Sequence, residues 1–531
     1  MNLLRRVVVF LELFLFSSLC FYAFAEQPQS GQSDSGHQPK QRPVLVYDDP
    51  SSEKFSRLNE LLAGYLQNDL ELKKYVLTAD SKSIDLKSTK IENGISVTLS
   101  SGEMKILMSQ DKRRITVTPA ATVEIPAAND TVIEAKIPLT VYDGESTVKD
   151  GSVSVTTGII TGARKQRKVN ILESERKLLE AERNVNDRVL SAEKEFYETL
   201  KKLFNYAISV LKAKTDLFDD SVDLRVLVAQ GYSKTSAAYR QANMKVASDR
   251  RDVVEKQLLF ERETALFAKK CGFTLDRVSS ESRDFETIGD NAFNAAIAFL
   301  PDAIPAVKEE NVFKYDKKSY SNLEIAEWNK HIAELKREAD YDMTLKATGE
   351  YIFNDSFTNY DTVGGKLTWA WSGISASAGA YMPVKQNLLK SSSDGIKSDS
   401  PYFSLSLAIA FNTWRLRKLE KQQDVIDSQL EDIAIESAKS DYDTDILDKV
   451  SSFHDIKWSQ GSYKEEFDMY SSLESDMETW LKQGIVTESE YLNAKNNREK
   501  ARINILINAI EMLIYNDETK LMFRSDTGKK S

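Results

Sequence analysis

Cysteine is nearly absent from this chain of 531 residues: Cys20 and Cys271 are the only two. If Cys20 leaves with an N-terminal leader, Cys271 stands alone, and no internal disulfide can staple the fold. Proline (11) and glycine (21) are also sparse; with 41% apolar and 29% charged residues, this composition describes a folded, helix-rich, water-exposed protein. Histidine occurs three times, at His37, His331 and His454, without metal-ligand spacing. Phosphate loops and nucleophile elbows are missing. The sequence therefore assigns no catalytic, cofactor-binding or metal-binding residue, and the chain reads as a non-enzyme. A formal net charge of −10 argues against nucleic acid as a partner. Beyond residue 25 no run of about 18 apolar residues occurs, so any entry into a membrane has to be as a β-barrel.

What is present begins with a secretory leader. Arg5 and Arg6 precede an apolar stretch interrupted by Glu12, and Ala23-Phe24-Ala25 is a cleavage site of the A-x-A kind, so residues 1–25 read as a signal peptide. Lipidation at Cys20 is the competing reading, against which the bulky Leu19 counts. Residues 26–50 form a flexible linker rich in Gln, Ser, Gly and Pro.

The rest is a tandem repeat. Gly231 and Gly484 each end a long helical pattern and open a returning one, 253 residues apart; Leu70-Glu71-Leu72 recurs as Leu323-Glu324-Ile325 at the same offset, and Arg167-Lys168 as Arg417-Lys418 at 250. The first repeat takes residues 51–271 and the second 321–523. Residues 272–320 form a connecting segment, with Pro301 and Pro305 breaking helix, and 524–531 a tail. Within each repeat the expected order is helix, strands, long helix, turn, return helix.

Leu178, Val185, Val189, Ala192, Phe196, Leu200, Leu203, Ala207 and Val210 are spaced by threes, fours and one seven, which predicts a coiled-coil face in the first long helix. The second, from about Asn412, contains Gly461 as a point of possible breakage. The strand pattern is clearest at Phe403, Leu405, Leu407, Ile409 and Phe411, at Met343 to Phe353, and at Ile133 to Val141, where Pro138 is out of place in a ladder. Each half is expected to hold two to four strands, with further candidates at 95–125. Tyr351, Trp369, Trp371, Tyr402, Phe411 and Trp414 lie near strand ends, as in the aromatic girdle of a membrane barrel. So few strands per half cannot close a roomy barrel, and several chains would share it. The acidic group Asp441, Asp443 and Asp445 reads as a solvated helix face.

The duplicated order, the strand at Phe403 running straight into Arg415 and Arg417, and the turn glycine followed by Ser489, Glu490 and Ala494 together resemble the TolC-like outer-membrane efflux family. The resemblance covers about residues 51–523. It implies an α+β fold of mostly long α-helices: a tandem-duplicated helical tunnel joined to a transmembrane β-barrel shared by a homotrimer. It further implies a place in the outer membrane reaching into the periplasm, and docking onto a periplasmic adaptor (membrane fusion) protein and an inner-membrane pump. The function implied is a passive exit duct for tripartite efflux or type I secretion, gated at the helix tips. The family's gate carboxylate falls on Glu490, and its next acidic position on Asn493; the first-half equivalent is Ala237. The turns, with Gly231 and Thr235 in one and Gly484, Thr487 and Ser489 in the other, would be the adaptor contacts. A periplasmic coiled-coil adaptor or a surface adhesin without a pore is the alternative; an adaptor would be expected to show one helical hairpin, not two.

Overall fold

The computed structural model describes residues 55–524, apart from 103, 110–111, 143–144, 276–283, 341–342, 359, 385–387 and 389–399. The expected leader, linker, tail and most of the expected loop at 385–400 lie outside the described residues. The fold class is α+β, dominated by long helices. Two compact units emerge, one of residues 81–178 and 328–433, the other of 55–80, 179–327 and 434–524.

The helical unit begins with α1 (Ser56–Asn68), which buries Leu58, Leu61 and Leu62 on one face. Asp69 ends it and starts α2 (Leu70–Glu92), its carboxylate accepting from the Glu71 N–H at 2.8 Å. The first long helix, α3 (Ala163–Ala229), has 67 residues, about 100 Å at 1.5 Å per residue. Its coiled-coil face closes progressively. Leu178, Val185 and Val189 are half-buried, whereas Ala192, Phe196, Leu200, Leu203, Ala207 and Val210 are sealed in the core. The partners there are α1, α4 (Ala237–Lys270) through Phe260 and Phe267, α5 (Phe285–Phe299) through Ala296 and Phe299, and α8 (Glu488–Met522) through Ile503, Leu506, Ile507 and Ile510. The connecting segment is thus partly helical, with Pro301 ending α5's run.

A second, smaller core gathers on Tyr320, just before α6 (Ser321–Ala339). Phe523 stacks on Tyr315 at 4.4 Å, and Tyr320 and Phe523 form an isolated bridge. The other long helix, α7 (Phe411–Lys482), contributes Ala438 and Ile446. Its acidic group is not simply solvated: Asp443 takes the Lys317 ammonium at 2.8 Å and Asp445 the Tyr320 hydroxyl at 2.7 Å. The helix runs through Gly461 unbroken, because one glycine costs only about 1 kcal/mol in a helix held by many turns.

In the other unit the first half supplies eight strands, more than the two to four expected: β1 (Ser96–Ser100), β2 (Met104–Ser109), β3 (Lys112–Val117), β4 (Ala120–Ile125), β5 (Thr131–Lys136), β6 (Leu139–Tyr142), β7 (Glu145–Val148) and β8 (Gly151–Ile160). The second half adds β9 (Met343–Phe353), β10 (Thr362–Trp371), β11 (Ile374–Pro383) and β12 (Tyr402–Ile409). They form an eight-stranded antiparallel sheet in the order β1-β4-β5-β8-β9-β10-β11-β12, and a separate sheet β2-β3-β6-β7. The strand expected over Ile133–Val141 is two strands. Pro138 has no N–H to give a ladder, and there the chain leaves β5 in the large sheet for β6 in the small one.

Candidate functional site: a two-faced sheet and two helix turns

Residues in register across a sheet share a face, and the large sheet sorts its side chains almost completely. Leu367 lies between Ala347 and Ala378, and Leu405 is opposite Ala378; Trp369 lies between Leu345 and Ala376, next to Leu407. On β9–β12 this face carries no charged residue and no Ser or Thr. It is also open: Leu405 is 83% exposed and Phe403 77%. Val153, Val155, Ile133, Ala135, Val123 and Leu99 continue it across the first-half strands. The opposite face is rich in hydroxyls, with cross-strand bonds Thr156–Thr348 at 2.9 Å and Ser377–Ser406 at 2.7 Å.

The aromatic residues divide between these faces. Trp369 and Trp371, 6.3 Å apart, stand on the apolar face at the end of the strands nearest the helices, and Tyr351 is on the same face at the far end. Phe411 and Trp414 are exposed on the first turn of α7. Tyr402 instead points to the polar side, stacked on Tyr381 at 4.9 Å and donating to Asp355 at 2.8 Å.

A network that the sequence did not reveal lies at that far end. Asp361, fully buried, accepts from the Tyr351 hydroxyl and from the backbone N–H groups of Asn354 and Leu388; Asp355 accepts from Tyr402, Thr362 and the Phe357 N–H. Asp150 holds Ser356 at 2.9 Å. Two buried carboxylates thereby tie the 354–361 loop to the loop at Leu388, and the exposed Asp150 brings in a third. Only the Asn354-Asp355 pair, a common turn opener, hints at it in sequence.

In the helical unit, Gly484 has φ +72° and Gly231 φ +80°, the left-handed conformation that closes a helix. Ile485 N–H returns to the Trp480 carbonyl at 2.9 Å, and Tyr232 N–H to that of Leu227 at 3.1 Å. Thr487 caps α8 in a full capping box: the Glu490 carboxylate accepts from the Thr487 N–H at 2.7 Å and hydroxyl at 2.8 Å. Those bonds, the backbone one foremost, hold the exposed Glu490 carboxyl below the usual range. Three such groups facing one axis would push in the opposite direction. Ser489 is buried, and Asn493 donates to Asp219 of α3 at 3.4 Å while accepting from Asn497. In the first turn Thr235 bonds Ser233, and the cap of α4 is Ser236, which accepts from Tyr239 N–H. Sequence reading passed over Ser236, since no acidic residue follows three places on.

Among the described residues no group of three His, Cys, Asp or Glu side chains is placed to hold a metal ion, and no helix is long and apolar enough to cross a membrane.

Comparison with solved structures finds the Vibrio cholerae outer membrane protein VceC at 11% identity, covering 88% of this chain and 97% of that one, with a TM-score of 0.47. A Pseudomonas aeruginosa membrane protein matches at 10% identity, 90% and 92% coverage and 0.44; the Campylobacter jejuni outer membrane channel CmeC at 10%, 89% and 87%, and 0.43. No curated protein sequence matches the chain. Residues 61–290 match the TP096X N-terminal domain and residues 305–526 the TP096X C-terminal domain. The chain thus consists, over most of its length, of a TP096X N-terminal domain followed by a TP096X C-terminal domain.

Proposed function

We propose that this chain is one protomer of an outer-membrane export channel: a homotrimer whose β-sheets join into one barrel and whose helical part lies in the periplasm. One observation carries the reading, the two-faced sheet. A largely exposed apolar face backed by a hydroxyl-lined one is what a barrel wall between lipid and a water-filled lumen requires. Both edge strands support it. Among the described residues β1 and β12 lack a partner on their outer sides, and they run in opposite senses, so copies can join edge to edge with antiparallel pairing throughout. Three eight-stranded sheets would make 24 strands, within the even-numbered range of outer-membrane barrels.

In this reading Trp369, Trp371 and Tyr351 sit at the two membrane interfaces, and the hairpin tips at Gly231 and Gly484 meet a periplasmic adaptor and, through it, an inner-membrane pump. Glu490 and Asn493 line the constriction. The duct is passive, serving tripartite efflux or type I secretion.

Extraction and imaging test this. The protein should stay with membranes through salt and high-pH washes, dissolve only in detergent, and show three-fold particles carrying a tube. Release by an alkaline wash as a monomer would point to the adaptor or adhesin class instead.

A further inference from the structure

Charge is rare on the polar face of β9–β12, where Lys346, Lys366 and Glu350 are the only charged residues. Lys366 stands opposite Thr348, and Lys346 opposite Thr368 on the neighbouring strand, so the two lysines are diagonal neighbours on one face, a spacing of ~7–8 Å. Lys346 is exposed and Lys366 half-buried. On the first-half strands of the same face Lys136 pairs with Glu134 at 2.8 Å, and Glu124 accepts from the Ser96 hydroxyl. Among the described residues neither Lys346 nor Lys366 forms an ion pair. Glu350, one rung farther from the helices, is the diagonal neighbour of Lys366 on its other side and accepts from the Tyr381 hydroxyl at 3.5 Å, so the three groups together carry one net positive charge.

Lys346 has no acidic residue opposite or diagonal to it in the sheet, so this group of three carries a net positive charge that calls for a counter-charge from outside the wall. We propose that Lys346 and Lys366 form an anion-binding rung for phosphate- or carboxylate-bearing solutes, with the Thr368 hydroxyl beside Lys346 as a neutral donor. The rung's role in passage rests on the channel reading above. Its effect would be to raise the local concentration of anionic cargo at the helix end of the sheet.

Two measurements on the full-length protein in detergent or bilayers separate the ideas. Pyridoxal 5′-phosphate and pyridoxal each condense with a lysine amine, releasing water, and borohydride reduces the imine to a stable amine readable by mass spectrometry. The phosphate-bearing aldehyde should label Lys346 and Lys366 several-fold faster than pyridoxal does, with inorganic phosphate protecting them. At the exposed Lys234 the two reagents should differ less. Equal preference at all three lysines, or no protection, overturns the rung. In planar bilayers under a KCl gradient, the Lys346→Gln/Lys366→Gln double variant should shift the reversal potential toward cation preference; an unchanged potential overturns the rung's part in selectivity. A wild-type oligomer that conducts nothing sinks the channel reading, while the labelling ratio still decides whether anions bind.

Discussion

Asp517 shows how burial sets one residue's chemistry. On α8 it is 4% exposed, and desolvation lifts its carboxyl from 3.8 to about 6, with Lys520 at 3.6 Å offsetting part of this. A folded-state value above the unfolded one means the folded chain binds the proton more tightly. Stability is therefore full at about pH 4, falls as pH rises toward 6, and stays lower above it. Asp517→Asn should raise unfolding free energy at pH 7.5 by about 2–3 kcal/mol, with the gain fading at pH 4, as read by urea titration at both values. A gain independent of pH would refute the burial account. Glu490 behaves oppositely, held charged by its capping bonds. If it also faces a constriction, Glu490→Gln should reduce cation preference or cation block in single-channel records, while Thr487→Ala weakens the α8 cap by about 1 kcal/mol. Unchanged selectivity in Glu490→Gln would leave only the capping role. The sequence showed Glu490 as a first-turn carboxylate, and the capping box is that same signal completed. Asp361 was not legible, because its donors come from both sides of it in the chain, Tyr351 and Asn354 before it and Leu388 well after it.

Elements were read best where one period persists. The heptad face of α3 spans many turns, and the positions from Ala192 to Val210 are those that became core. At β12 the alternation of Phe403, Leu405 and Leu407 with Ser404 and Ser406 left one reading. β11 went unread because its two faces are Ala and Ser or Gly, which differ too little in hydrophobicity to show a period, although Ser372-Gly373 between Trp371 and Ile374 is a two-residue hairpin turn, both residues with positive φ. Pro138 gave the right warning: the pattern runs on, but the sheet does not. Gly461 raises a different question. It is exposed in the middle of α7, and a methyl group there would meet nothing within 4 Å. Gly461→Ala should stabilise the protein by about 1 kcal/mol in urea or thermal unfolding. Destabilisation of the oligomer alone would mean that another copy packs closely against this glycine.

For the whole molecule the decisive issue is what covers the apolar face of the large sheet. A monomer in water would expose Phe403, Leu405 and Leu407 in a row, a patch that soluble chains seldom tolerate and that an unpaired edge such as β12 makes prone to aggregation. Lipid on that face and a second copy along the edge remove both problems at once. The two faces of β12 then give a paired test. Leu405→Arg puts a charge on the side read as lipid-facing, where at mid-membrane it costs about 2–4 kcal/mol, whereas Ser406→Arg puts the same charge toward the lumen, where water remains. The first variant should lose membrane-assembled oligomer and the second should keep it, measured by detergent extraction and native electrophoresis. Since Leu405 is 83% exposed in the single chain, a water-soluble monomer would tolerate arginine at either position. Equal behaviour of the two variants would therefore take the bilayer away from this face.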